Sequence, residues 1–370
     1  MWVNVRTFMS PAPSPHRRDA HASAPPAPGS GRALLRLVVL SACVGLLWSR
    51  VTLVLHELLG HAVTASLFGA RVTGYHLFVF AGGRVSYRFP DERPGPRLVT
   101  SLGGIALELL VGAVALALAR RARRPAVRYA LASLAVIDAA HGAVYLARGT
   151  HYGYGDGALL AEALGPITRI AIVACASAIA VVATLTAGRE LGRLAADWLP
   201  SSPRRVVASM VLAAVASLAV HGALAWGELR WFPDARYAAL MQDAATERAK
   251  QELARRLLEA RRRGEPLPSD EERRRLLEAL ARSKRPWPLD PPLALGVIAG
   301  ALVGLARGAR EGAAQPSRRR TLTKREVGVA ALAALAAVGV VVVLRALEAR
   351  FEAPRASAAQ VLPRAGPDGG

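Results

Sequence analysis

The chain has 370 residues, is 52% hydrophobic and carries a formal net charge of +21. Much of the apolar content is gathered into Ala-, Val- and Leu-rich blocks of about 18 to 23 residues, long enough to cross a bilayer, which excludes an ordinary pair of soluble domains. The arginines lie in short segments between these blocks with no interleaved aromatic platform, so they read as topology signals and lipid head-group contacts, and no nucleic acid is expected as a partner.

The expected fold is therefore an all-α polytopic membrane protein. It has about seven transmembrane helices, a short β-hairpin after the first, and a soluble helical hairpin between the fifth and sixth. Residues 1–32, rich in Pro, Ala, Ser and Arg, are expected to be a disordered tail. The first apolar block, from Ala33 to Ala70, would extend about 57 Å as a helix, nearly twice the hydrocarbon thickness. It is either one long tilted or kinked helix or two pieces meeting near Ser49-Arg50. Residues 71–97 then alternate aromatic, β-branched and polar residues around Gly82-Gly83, which predicts two strands joined by a Gly-Gly turn, with an edge to offer an extended peptide, or else a plain surface loop.

A second span covers Leu98 to Ala119, where Gly103 and Gly104 allow close helix approach and Glu108 is expected to face away from lipid. A basic loop leads to a third span, Tyr129 to Leu146, carrying Asp138 and His141, which are expected to pair at i, i+3 or to join a polar cavity. Residues 149–165 surround Asp156 with glycines and aromatics. The fourth span runs from Ile167 to Ala187, and the fifth from Val206 to Trp226, within the segment 188–227. His221, inside it, reads as a packed core residue. Residues 228–290 form the only sizeable soluble segment: a charged helix to Arg263, a turn, and a second helix opened by a capping box of Ser269 and Glu272. It suits the membrane surface or a protein partner. The segment 291–347 holds two further spans, Pro292 to Ala306 and Val327 to Leu347, before a second tail at 348–370. Cys43 and Cys175 lie inside apolar blocks, so neither a disulfide framework nor a cysteine metal site is expected.

The chemistry concentrates in Val51 to Ala70, VTLVLHELLGHAVTASLFGA. Ionisable groups at membrane depth are functional by default, and two imidazoles with a carboxylate can hold a zinc ion and activate its water. The usual H-E-x-x-H spacing places both histidines on one helix face. Here the motif is H-E-L-L-G-H, and five residues turn an α-helix through about 500°, leaving His56 and His61 roughly 140° apart. A π-bulge around Leu58 to Gly60 would bring them back together. The alternative is that they are polar groups satisfied inside a bundle, with Glu57 and His61 paired at i, i+4.

HELLGHAVTASLFGARV at 56–72, SLGGIALELLVG at 101–112 and GYGDGALLAEALG at 153–165 together resemble the site-2 protease superfamily of membrane-embedded zinc metallopeptidases, in its compact bacterial branch. The likeness spans about residues 40 to 187, giving a core of 33–187. It implies Zn2+ held by His56, His61 and Asp156, and Glu57 as the catalytic general base. It also implies a membrane protein or peptide substrate and a bacterial inner membrane. The family's Ala-Gly-Pro-x-x-Asn element is represented here by Gly103-Gly104-Ile105-Ala106-Leu107-Glu108. By the positive-inside rule the N-terminus and the basic loops are cytoplasmic. The expected function is intramembrane proteolysis; the alternatives are a catalytically inactive scaffold acting through 228–290, and a small-solute transporter.

Overall fold

The computed structural model describes residues 30–91, 94–199, 201–242, 244–264, 266–284, 286–314 and 321–359. Of the expected tail at 1–32, residues 1–29 lie outside these, as does the chain beyond 359, while residues 30–32 already belong to the first helix. Among the described residues the chain is helical apart from one two-stranded sheet, and seven helices are long and apolar enough to cross a membrane. It is an all-α polytopic membrane protein.

The first span is one unbroken helix, α1 (Gly31–Leu67), with no break near Ser49-Arg50. It is followed by β1 (Arg71–Leu77), β2 (Gly83–Arg88), α2 (Pro94–Arg121) and α3 (Pro125–Tyr152). Then come a short α4 (Ala158–Ala163), α5 (Pro166–Trp198) and α6 (Pro203–Trp231). The soluble segment contains α7 (Ala235–Leu240), α8 (Ala244–Arg262) and α9 (Asp270–Lys284). The last two spans are α10 (Asp290–Ala314) and α11 (Lys324–Ala359), of which Lys324–Glu348 is the apolar part. The sixth span is therefore longer than Pro292 to Ala306, and the last helix continues into the expected C-terminal tail.

Close packing explains where the glycines fall. Gly304 and Gly308 of α10 sit against the backbone of α5 at Leu185 and Arg189, and Gly188 and Gly192 answer from the other side. Small residues let two backbones approach where apolar lipid supplies no hydrophobic drive. Around the N-terminal end of α1, Leu37, Leu40 and Val44 pack with Tyr129, Trp198, Val206 and Met210 in the largest apolar cluster. The basic turn after α2, Arg120 to Arg124, and the start of α6 at Arg204-Arg205 share that end of the bundle. The hairpin, the Asp156 loop and the α7–α9 segment share the other, where Trp226, Trp231, Phe232 and Trp287 are exposed.

The hairpin differs in its turn. The strands are antiparallel with Leu77 opposite Gly83 and a bulge between Val72 and Gly74, so the connection is five residues, 78–82. Gly83 belongs to β2, and neither Gly82 nor Gly83 has the positive φ of a tight Gly-Gly turn. The loop is longer because its amides and carbonyls are taken up by Arg50 and Glu228. In the soluble segment α8 and α9 pack on each other, and the capping box is present: Ser269 N–H donates to Glu272 Oε2 at 2.7 Å, and Glu272 N–H to Ser269 Oγ at 3.3 Å. Glu228 itself belongs to α6.

Candidate metal centre

Within α1, residues Leu55–Val63 form a π-helix rather than an α-helix. A π turn takes up the additional residue in H-E-L-L-G-H and returns His61 to the face of His56. The inward face of the segment is built on glycine. A Cβ at Gly60 would lie 2.7 Å from Gly104 N, and one at Gly104 would lie 2.6 Å from His56 Nε2, so α1 and α2 meet only because neither position carries a side chain. The close approach expected of Gly103-Gly104 is thus made at the histidines.

Asp156 comes from the opposite direction. α3 ends at Gly153, in the left-handed region at φ 71°, and Gly155 is also left-handed at φ 53°. These two glycines let the chain turn back sharply, and Gly155–Gly157 forms a single 3₁₀ turn that presents Asp156 to α1. Ser101 Oγ donates to the Asp156 carbonyl at 2.7 Å and ties this turn to α2.

The three side chains converge. His56 Nε2 and His61 Nε2 are 3.1 Å apart, and Asp156 Oδ2 lies 3.0 Å from the first and 3.2 Å from the second. A tetrahedron whose corners stand about 2.0 Å from its centre has edges of roughly 3.3 Å, so these donors already occupy three corners of such a figure. The other ring nitrogens are also engaged: His56 Nδ1 with Glu108 Oε1 at 2.9 Å, and His61 Nδ1 with the Thr100 carbonyl at 2.8 Å. With Nδ1–H donating to these acceptors, each Nε2 keeps its lone pair for the centre, the usual support of a metal-ligating histidine. The group can hold a metal ion.

Glu57 is buried and does not join the cradle of three. It faces a cavity of about 420 Å³ also lined by His56, Glu108, His141, Tyr145 and Gly83. Tyr237 and Met241, from the segment after α6, line it on the solvent side, and Gly82 hydrogen-bonds Tyr237 through its backbone.

The remaining sequence candidates divide. Glu108 is buried, as a carboxylate that avoids lipid should be, and it bridges His56 to His141, whose Nδ1 is 3.6 Å from Glu108 Oε2. Asp138 does not pair with His141. A second π turn at Val136–Ala140 separates them, and Asp138 accepts instead from Thr52 Oγ1 of α1. His221 is remote from the cradle, packed near Gly45 and Ser217. Sequence reasoning missed Arg50, Glu228 and Tyr145. For the first two the signal was a lone charge at the end or middle of an apolar block.

No protein-family model, curated protein or solved structure matches this chain.

Proposed function

We propose that the chain is an intramembrane zinc metallopeptidase that hydrolyses peptide bonds of membrane-associated proteins. The observation that carries this reading is the π-helical stretch Leu55–Val63, which spends regular backbone hydrogen bonding to put His56 and His61 beside Asp156. Two imidazoles and one carboxylate with an open fourth position form a catalytic rather than a structural donor set. The chemistry zinc supplies when bound in such a site is Lewis acidity towards a water molecule and a peptide carbonyl.

The chain's own residues do the rest. His56 and His61 would hold the metal through Nε2, with Asp156 beside them, and are oriented by Glu108 and the Thr100 carbonyl. Glu57, on the wall of the same cavity, takes the proton of the attacking water as the new C–O bond forms. It returns that proton to the leaving nitrogen as the C–N bond breaks. The hairpin loop together with Tyr237 and Met241 limits the water that reaches the carboxylate. By the positive-inside rule the basic end of the bundle is cytoplasmic, the N-terminus with it, and the protein belongs to a bacterial inner membrane. The cradle, near the opposite end, then serves substrates at the outer boundary of the bilayer.

The test is hydrolysis by the protein reconstituted in vesicles. Glu57→Gln is expected to abolish cleavage of a labelled casein while leaving the zinc stoichiometry unchanged. Equal cleavage by the variant would refute the mechanism. One observation favours a scaffold instead: α8 and α9 pack chiefly on each other and leave charged faces outward. That reading predicts that deleting 244–284 abolishes the cellular role while His56→Ala does not.

A further inference from the structure

The connection 78–82 of the hairpin is gripped by two buried charges, neither of which belongs to the metal cradle. From α1, Arg50 Nη1 donates to the carbonyls of Phe78 at 3.3 Å, Val79 at 2.8 Å and Ala81 at 3.0 Å. From α6, the Glu228 carboxylate accepts from the amides of Val79 at 2.6 Å, Phe80 at 2.6 Å and Ala81 at 3.0 Å. Arg345 of α11 donates to Glu228 Oε1 at 2.7 Å. Strand β1 is tied to the same helix, through Tyr75 Oη to the Leu344 carbonyl at 2.9 Å and through His76 Nδ1 with Glu348 Oε1 at 2.6 Å. Arg84 of β2 meets Asp234, just beyond α6, at 3.2 Å.

Burying an arginine and a glutamate to hold a turn is unfavourable unless they are hydrogen-bonded, and here Arg50 Nη1 and both Glu228 oxygens are engaged by backbone groups that would otherwise be solvated. A loop with no task would be left in water. This one borders the cavity beside Glu57. Ala81, Gly82 and Gly83 line it, and a Cβ at Gly83 would stand 3.1 Å from Glu57 Cγ.

Building on the peptidase reading, we propose that Arg50 and Glu228 are positioning residues that lock segment 78–83 as the wall against Glu57. This wall keeps the Glu57 carboxylate facing the cradle and closes that side of the cavity to bulk water. The fifth and seventh spans, which lie outside the stretch that carries the chemistry, thereby act on the site through the loop.

The experiment uses the full chain in detergent micelles, loaded with zinc, as wild type, Glu228→Gln, Glu228→Ala and Arg50→Lys. Three quantities are followed: deuterium exchange across 78–82, release of zinc to a chelator, and hydrolysis of labelled casein. In Glu228→Ala the amides of Val79, Phe80 and Ala81 should exchange about tenfold faster with zinc stoichiometry unchanged, while the melting temperature falls because Arg345 loses its partner. Misplacement of the wall should lower kcat about tenfold or more with little change in KM. Glu228→Gln keeps the shape but only one acceptor oxygen, and Arg50→Lys keeps the charge without the fork of donors, so both should fall between. Wild-type exchange in Glu228→Ala, or faster exchange with wild-type kcat, overturns the proposal.

If the wild type binds zinc but cleaves no casein, the peptidase reading fails separately, and zinc release still decides the lock. Faster release in Glu228→Ala and Glu228→Gln supports it, and an unchanged rate overturns it. A wild type that takes up no zinc overturns both.

Discussion

The α8–α9 hairpin and the metal cradle are both rich in ionisable side chains, and they satisfy them in opposite ways. In the hairpin the partners are one helical turn away: Arg255 with Glu252 and Glu259, Arg256 with Glu252, Arg275 with Glu271. In the cradle the partners are distant in sequence. His56 Nδ1 reaches Glu108 across 52 residues, His56 Nε2 reaches Asp156 across 100, and His61 reaches the Thr100 carbonyl across 39. Local pairs form wherever a helix forms and, screened by solvent, contribute little each. Distant pairs require two helices and a loop to converge, and at membrane depth a missing partner leaves a polar group unpaired. Charge that is satisfied locally keeps a surface soluble, whereas charge satisfied at long range marks where the fold has been committed to a task.

The contrast can be broken most severely at Gly104. Gly104→Val would drive a side chain into the His56 ring, which a Cβ alone already meets at 2.6 Å. The expected outcome is loss of metal binding together with a destabilisation of about 1 to 3 kcal/mol, read by metal analysis and by thermal melting in detergent. Next is Glu108→Gln. It preserves volume but weakens the acceptor for His56 Nδ1, and metal affinity should fall about 10- to 100-fold in a competition titration, with the fold intact. Ser101→Ala removes one hydrogen bond from the Asp156 turn. It should cost about 1 kcal/mol and lower metal affinity only a few-fold in the same titration. The smallest effect belongs to the other region. Arg255→Ala should leave the melting temperature almost unchanged, with the least effect at high salt, and should leave metal affinity unaltered.

The same contrast explains what could be read from the amino-acid sequence. The seven spans, the charged helical hairpin and its Ser269–Glu272 capping box depend on neighbouring residues and were legible as such. The π distortion was legible too, because two histidines five apart cannot share one α-helical face and Gly60 lies between them. Long-range partners were not. Asp138 and His141 suggested a pair at i, i+3, but the local π turn separates them and Thr52 of another helix takes the carboxylate. Gly82-Gly83 suggested a tight turn, yet Arg50 and Glu228, 28 and more residues away in the chain, hold a five-residue loop open. Nothing in periodicity or spacing tells which backbone groups a lone arginine in an apolar block will reach. That Glu108 would avoid lipid follows from its charge, but its place beside His56 Nδ1 follows only from the depth at which α2 crosses α1.

The central claim is that His56, His61 and Asp156 form one metal site in spite of the additional residue between the histidines. It is tested most directly by the metal content of the protein purified without chelator and loaded with zinc, as wild type and as His56→Ala, His61→Ala and Asp156→Ala. The geometry predicts about one zinc per chain in the wild type and a loss in each variant, with His61→Ala as severe as His56→Ala. Retention of zinc by His61→Ala at the wild-type level, or no zinc in the wild type, would contradict the account.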